Sequence, residues 1–192
     1  MKVALKKEKE FTIAPVAAAY VPARARTVRY VGSVNRQNNE RALAAIGKLL
    51  DRGAGVITLF ITSPGGATGI AMSFYDSIRH LLKPQLVTIG SGEVDSSGMI
   101  IFLSGGTRYV TAHTTALLHC AGRLFGNQRY TTREMAAMLT EDRQKDEQYA
   151  DVIAQNSHGQ LDRDSVLALM DAQTVLTPED FIRYGLADGI LA

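Results

Sequence analysis

At 192 residues the chain has room for one domain with a sizeable core and is short for two. Its 46% hydrophobic and 21% charged content are ordinary for a globular protein, and a net charge of +2 makes no case for nucleic acid or a membrane surface. The single cysteine, Cys120, excludes an internal disulfide framework and fits a reducing compartment, so a cytoplasmic location is expected.

Residues 1–25 read as an N-terminal arm. The lysines of LKKEKE are interleaved with Glu8 and Glu10, and the apolar stretch that follows is broken by Pro15 and Pro22, unlike a secretory leader. No apolar run approaches the ~20 residues of a spanning helix. After the arm, TVRYVGSV (27–34) is a short β-type run. A helix follows in NRQNNERALAAIGKLLDRG, with Leu43, Ile46, Leu49 and Leu50 at helical spacing. VITLFIT (56–62) is a continuous apolar strand, SPGG (63–66) a turn, and a helix is expected from about Ala67 to Leu82. QLVTIGSG is a third strand, SSGMIIFLSGG a short buried helix, and RYVTA and ALLHCAG are further strands. Strands alternating with helices and apolar on both faces imply a covered parallel sheet with right-handed crossovers.

From Thr131 the texture changes. One long helix opens on a Thr131-x-x-Glu134 capping box and closes near Gly159. Its middle, TEDRQKDEQ, has no apolar stripe, so this helix is expected to project from the body or to meet another subunit. A last helix opens at Thr177-Pro178-Glu179-Asp180, and the chain ends in the strand-like ADGILA.

The candidate chemistry lies in EVDSSGMIIFLSGG (93–106). A serine at a strand-to-helix turn sits where helix-terminal N–H groups can bind a developing oxyanion, and Gly98 permits close backbone approach. Ser96 as a plain helix cap is the competing reading of this stretch taken alone. A nucleophilic serine needs a base. Of His80, His113, His119 and His158, His119 is best placed, at the end of an apolar run. The glycines of SPGG expose backbone N–H groups, which suits an oxyanion hole and equally any βα turn. No Cys/His cluster has metal spacing, no phosphate-binding glycine loop is present, and Val94 breaks the G-x-S-x-G elbow. No cofactor or metal is expected.

Three segments in order together resemble the ClpP-type serine peptidases. FITSPGGATGIAMSFYDSIRHLLKPQLVTIGSG is similar to that family's strand, S-P-G-G turn, helix and following strand. SSGMIIFLSGGTRYVTAHTTALLHC resembles its nucleophile helix, R-Y strand and histidine-bearing strand end, and LTPEDFIRYGLADGIL its C-terminal motif. The likeness runs from about residue 26 to the end. It implies an α/β, ClpP/crotonase-like fold of repeated ββα units over 26–192, with a protruding handle helix at about 131–155. It further implies Ser96 as nucleophile, His119 as general base, and the Gly66 and Ser97 N–H groups as the oxyanion hole. Gly65 and the stretch Ala121, Gly122 and Arg123 would bind substrate, as a strand pairing with an extended peptide.

One position departs from the pattern. Counting back from Tyr184-Gly185-Leu186, the family's triad aspartate falls on Gln173, with Asp171 two residues earlier. In Ser-His-Asp enzymes a neutral amide in place of the aspartate lowers turnover by roughly 10⁴. Asp95 also places a carboxylate beside the nucleophile, which hinders oxyanion formation unless the side chain points away. By resemblance the protein is a serine endopeptidase acting on unfolded chains or short peptides. It would assemble into heptameric rings, two stacked, with an AAA+ unfoldase as a partner. The alternatives are a catalytically impaired ring-forming subunit, a phage-type head-maturation protease, or an acyl-CoA enzyme of the crotonase type; the Ser96/His119 pair argues against the last.

Overall fold

The computed structural model describes residues 20–191, so most of the expected N-terminal arm lies outside the described residues. The main sheet is five-stranded and parallel: β1 (Thr27–Val31), β2 (Ile57–Ser63), β3 (Leu86–Val94), β4 (Thr107–Thr111) and β7 (Gly189–Leu191), in that order. The connections are helical, α1 (Arg36–Asp51), α2 (Thr68–Asp76) and α3 (Gly98–Leu103), as expected when apolar strands alternate with helical periods. The second β element of each repeat is reduced to isolated bridges, Val34 with Gly66 and Glu93 with Thr115, and to a two-stranded pair of β5 (Ala116–Leu117) with β6 (Val175–Leu176). The remaining helices are α4 (Thr132–Gln155), α5 (Arg163–Asp171) and α6 (Pro178–Arg183).

The core explains the uninterrupted apolar strands. Leu59, Ile61 and Ile89 of the sheet and Ile46, Phe74, Ile101 and Phe102 of the helices are completely buried. Aromatic edges lock the layers, with Tyr30 meeting Phe74 at 5.8 Å and Phe102 meeting Phe181 at 5.5 Å between ring centres. The C-terminal strand is tied in by buried Arg108 of β4. Its Nε donates to the Leu186 carbonyl at 2.7 Å and Nη2 to the Asn156 carbonyl at 2.9 Å, while its backbone N–H donates to Asp188 Oδ2 at 2.7 Å. Burial lowers the Arg108 pKa from its ordinary value, but these acceptors surround the guanidinium.

The helix expected to run to Leu82 is α-helical only over Thr68–Asp76 and π-wound over Ser77–Leu82. The change falls where Ser77 Oγ donates back to the Ser73 carbonyl at 2.7 Å, competing with the regular ladder. The strand expected over ALLHCAG ends at Leu117. Beyond the bond from Leu118 N–H to the Thr174 carbonyl at 2.8 Å, the backbone groups turn to side chains, the Cys120 carbonyl to the His119 ring and the Ala121 N–H to Asp146. The long helix stands where it was expected, capped by Thr131 and Glu134, but only Tyr149, Ala150 and Ile153 of it are buried. Met135 and Leu139 on its N-terminal half are half-exposed, whereas Glu141, Asp142 and Asp146 of its polar middle bond Arg123 and Ala121 of the preceding loop. Among the described residues no helix is long and apolar enough to cross a membrane.

Candidate active site

Strand β3 leads into the turn that carries the candidate nucleophile, Ser96. Its register against β2 is even from Ile57–Leu86 to Ile61–Gly90, then slips, so that Ser63 faces Val94. This bulge brings the SPGG turn beside Asp95 and Ser96, and the Asp95 N–H donates to the Ser63 carbonyl at 2.9 Å. Ser96 adopts φ +51°, a left-handed conformation that costs a serine about 1–3 kcal/mol and persists only where its surroundings impose it. They do so on both sides: the Ser96 N–H donates to the Leu117 carbonyl at 2.8 Å, and buried Tyr149 donates its hydroxyl to the Ser96 carbonyl at 2.8 Å. Burial, with the nearby Asp95 charge second, raises the Tyr149 pKa, so the phenol keeps its proton and remains a donor. The Asp95 carboxylate is engaged on β5, where it accepts the Leu117 N–H at 2.8 Å.

The glycines of the turn are required by space. A Cβ on Gly65 would lie 2.7 Å from Ser96 Cβ and 2.9 Å from the Asp95 carbonyl oxygen. One on Gly66 would collide with the Val34 backbone, whose N–H donates to the Gly65 carbonyl at 2.7 Å. Gly98 approaches Ser63 less closely, its Cβ position lying 3.1 Å from Ser63 Cβ. Among the described residues the N–H groups of Gly66 and Ser97 enter no turn or loop bond. Ser97 is 1% exposed, and its hydroxyl has no partner among the described residues.

His119 follows β5 in the chain. Its Nδ1 lies 2.7 Å from the Cys120 carbonyl oxygen, which can only accept, so Nδ1 is the donor there and, in the neutral ring, Nε2 holds the lone pair. No hydrogen bond joins Ser96 to the His119 ring in this structure, although such bonds are often long in unliganded enzymes. Asp171 ends α5, and its Oδ1 accepts from the Cys120 thiol at 3.2 Å. Burial, then Asp171, pushes that thiol up to about 12, which keeps it a neutral donor at physiological pH. Gln173 lies just past α5 at φ +50°, its N–H donating to the Met170 carbonyl at 3.0 Å as a helix C-terminal turn requires. Neither Asp171 nor Gln173 bonds to His119.

The stretch expected to bind substrate has no regular secondary structure. Ala121 is fixed by its N–H, which donates to Asp146 Oδ1 at 2.6 Å, and Gly122 faces open space. Arg123 is engaged by α4, with Nε donating to Asp142 Oδ2 at 2.7 Å and Nη2 to Glu141 Oε2 at 2.5 Å. Sequence reasoning did not find Tyr149 or Asp146. Both lie on α4, and in the sequence nothing marks them apart from the other polar positions of that helix. Among the described residues no cluster of three or more metal-ligating side chains gathers.

A strained serine backed by a glycine turn, with a histidine two residues past the Leu117 whose carbonyl holds the serine N–H, is an arrangement suited to acyl transfer. The Clp protease family profile matches residues 17–192, and the chain belongs to that family. It is 30% identical over 138 residues to ATP-dependent Clp protease proteolytic subunit 4 of Rhodococcus jostii, covering 71% of this chain and 68% of that one. Against proteolytic subunit 1 of Leifsonia xyli it is 28% identical over 165 residues, covering 84% and 81% of the two chains. A shorter stretch of 65 residues is 40% identical to proteolytic subunit 2 of Bifidobacterium longum, a third of this chain and 31% of that one.

Proposed function

We propose that this chain is a ClpP-type serine endopeptidase subunit that cleaves unfolded polypeptides or short peptides inside a ring-shaped chamber. The observation that carries the reading is the strained Ser96 turn, packed against Gly65 and held by Leu117 and Tyr149. Ser96 Oγ attacks the peptide carbonyl while His119 Nε2 takes its proton, and the oxyanion is received by the Gly66 and Ser97 N–H groups. His119 passes the proton to the leaving amine as the C–N bond breaks, leaving an acyl ester on Ser96. Water then attacks the ester, His119 takes its proton and returns one to Ser96 Oγ, and the acid product departs.

Assembly into two stacked heptameric rings through α4, enclosed catalytic serines, an AAA+ unfoldase as the source of any ATP dependence, and a cytoplasmic setting complete this reading. The half-exposed Met135 and Leu139 on α4 support the assembly part of it. The third triad place belongs to Asp171 or to Gln173. If the triad is limited by Gln173, the Gln173→Asp variant turns over faster. If instead Asp171→Asn abolishes activity and Gln173→Asp changes nothing, Asp171 fills the place.

Labelling with a fluorophosphonate probe, followed by peptide mapping, tests the assignment. The expected adduct is on Ser96 and is lost in Ser96→Ala with assembly intact; full activity in Ser96→Ala would refute it. A second reading, a ring-forming subunit with impaired catalysis, is favoured by Gln173 and by the unmade bond between Ser96 and His119. An assembled ring that takes no label would establish it.

A further inference from the structure

We propose that Asp146 is a positioning residue for His119, acting through the Cys120–Ala121 peptide. The inference rests on the reading of Ser96 and His119 given above. Two hydrogen bonds converge on one peptide unit from opposite ends. The carbonyl of Cys120 accepts from His119 Nδ1 at 2.7 Å, and the N–H of Ala121 donates to Asp146 Oδ1 at 2.6 Å. Carboxylate, amide and imidazole therefore form one chain. A carboxylate on the N–H end draws the amide dipole toward itself and adds negative charge at the carbonyl end, which strengthens the bond to Nδ1–H. The ring is thus held with Nε2 as acceptor, the tautomer a general base needs, although no carboxylate touches it directly.

The electrostatics around Asp146 fit this role. It is half-buried on α4 and, among the described residues, forms no ion pair. The groups around it are Asp142 on its own helix, Asp171 from α5, and His119 and the Cys120 thiol from the loop. Arg123, the nearest arginine in the loop, is taken by Glu141 and Asp142. Burial first, then the Asp142 and Asp171 charges, raise the Asp146 pKa, whereas the Ala121 N–H and His119 lower it. A carboxylate kept beside two others with no cation of its own is unfavourable in the resting protein. It becomes favourable when a positive charge forms nearby, and the imidazolium of His119 is the charge that the proposed reaction creates. Asp171 is bonded to the Cys120 thiol and Gln173 to its own helix end, so Asp146 alone joins the peptide on which His119 rests.

The test uses the full-length protein in its native assembly, with Asp146→Asn and Asp146→Ala as variants. Asparagine keeps an oxygen for the Ala121 N–H and removes the charge, and alanine removes both. Two readouts are taken: the fluorophosphonate inactivation constants, and the His119 tautomer from nitrogen-15 shifts of histidine-labelled protein, assigned with His119→Gln. The expected result is a maximal inactivation rate reduced on the order of tenfold in Asp146→Asn and more in Asp146→Ala, with the probe's half-saturation unchanged. In Asp146→Ala the Nδ1–H tautomer gives way to a mixture. Rates and tautomer within twofold of the parent in both variants overturn the proposal. If the parent protein itself takes no label, the peptidase reading fails, and the tautomer comparison alone decides the relay: an unchanged Nδ1–H in Asp146→Ala overturns it.

Discussion

Replacing Gly65 by alanine perturbs the site by a single methyl group. The added Cβ would stand 2.7 Å from Ser96 Cβ and 2.9 Å from the Asp95 carbonyl oxygen, both far inside contact distance, and the backbone there has φ +88°. Neither wall can yield cheaply. On one side Val34 N–H grips the Gly65 carbonyl at 2.7 Å; on the other Ser96 is pinned through its own N–H and carbonyl. A left-handed residue with a Cβ costs about 1–2 kcal/mol, and overpacking a tight site about 1–3 kcal/mol more, so about 3 kcal/mol is a central figure. For a chain of this size that lowers Tm by roughly 6–12 °C. Gly47, inside α1 with open space around its Cβ position, is the control. Gly47→Ala should raise stability by about 0.5–1 kcal/mol through helix propensity. Calorimetry gives the stability arm, and the rate of Ser96 labelling, expected to drop at least tenfold in Gly65→Ala alone, gives the site arm. A Gly65→Ala protein with parental Tm and labelling would refute the claim that this turn is the steric seat of the nucleophile.

The remaining predictions concern single contacts. Tyr149→Phe deletes the donor to the Ser96 carbonyl; it should cost about 1–2 kcal/mol in chemical denaturation and slow Ser96 labelling, while unchanged labelling would sever Tyr149 from the site. Arg108→Met strands the carbonyls of Leu186, Asn156 and Gly185 and removes the positive charge near Asp188, whose bond from the residue 108 backbone N–H survives; a loss of about 3 kcal/mol is expected by denaturant titration, with the C-terminal strand exchanging its amides first. The Asp146 carboxyl has a raised pKa, so its proton favours the folded state: its contribution is fully present below the unfolded pKa and is lost as pH rises through the folded one. Asp146→Asn should therefore raise Tm at neutral pH, with the gain vanishing in acid below the ordinary carboxylate range, as thermal melts across pH would show.

Much of this architecture can be read from residue patterns, and the exceptions share a cause. Local chemistry marks the cap at Thr131 with Glu134 and the cap at Thr177 with Asp180, and both form as capping boxes. The apolar runs of β2 and β3 mark a covered parallel sheet, and the Pro-Gly-Gly turn and Gly98 mark close backbone approaches, where the Cβ distances are short. Hidden from that reading are bonds between a side chain and a distant backbone group. Tyr149 reaches back 53 positions to Ser96, and Arg108 reaches forward 78 to Leu186. Such pairings impose no period on the sequence. The same holds for the stretch after Leu117, where apolar composition suggests a strand but Asp146 of α4 takes the Ala121 N–H that a ladder would use. The bond that Asp95 accepts from the Leu117 N–H is equally unmarked in the sequence.

Helix α3 is buried along all six of its residues, so Ser96 is mounted on the least yielding part of the molecule. The histidine side is of another kind, since from Cys120 to Tyr130 the chain has no regular secondary structure and rests on side chains of α4 and α5. One jaw of the vice is cast with the frame, and the other is bolted on. A change in the bolted part can retune or silence the reaction while the body keeps its strength, and a chain built this way can serve as sound masonry in an assembly whatever its own rate of turnover.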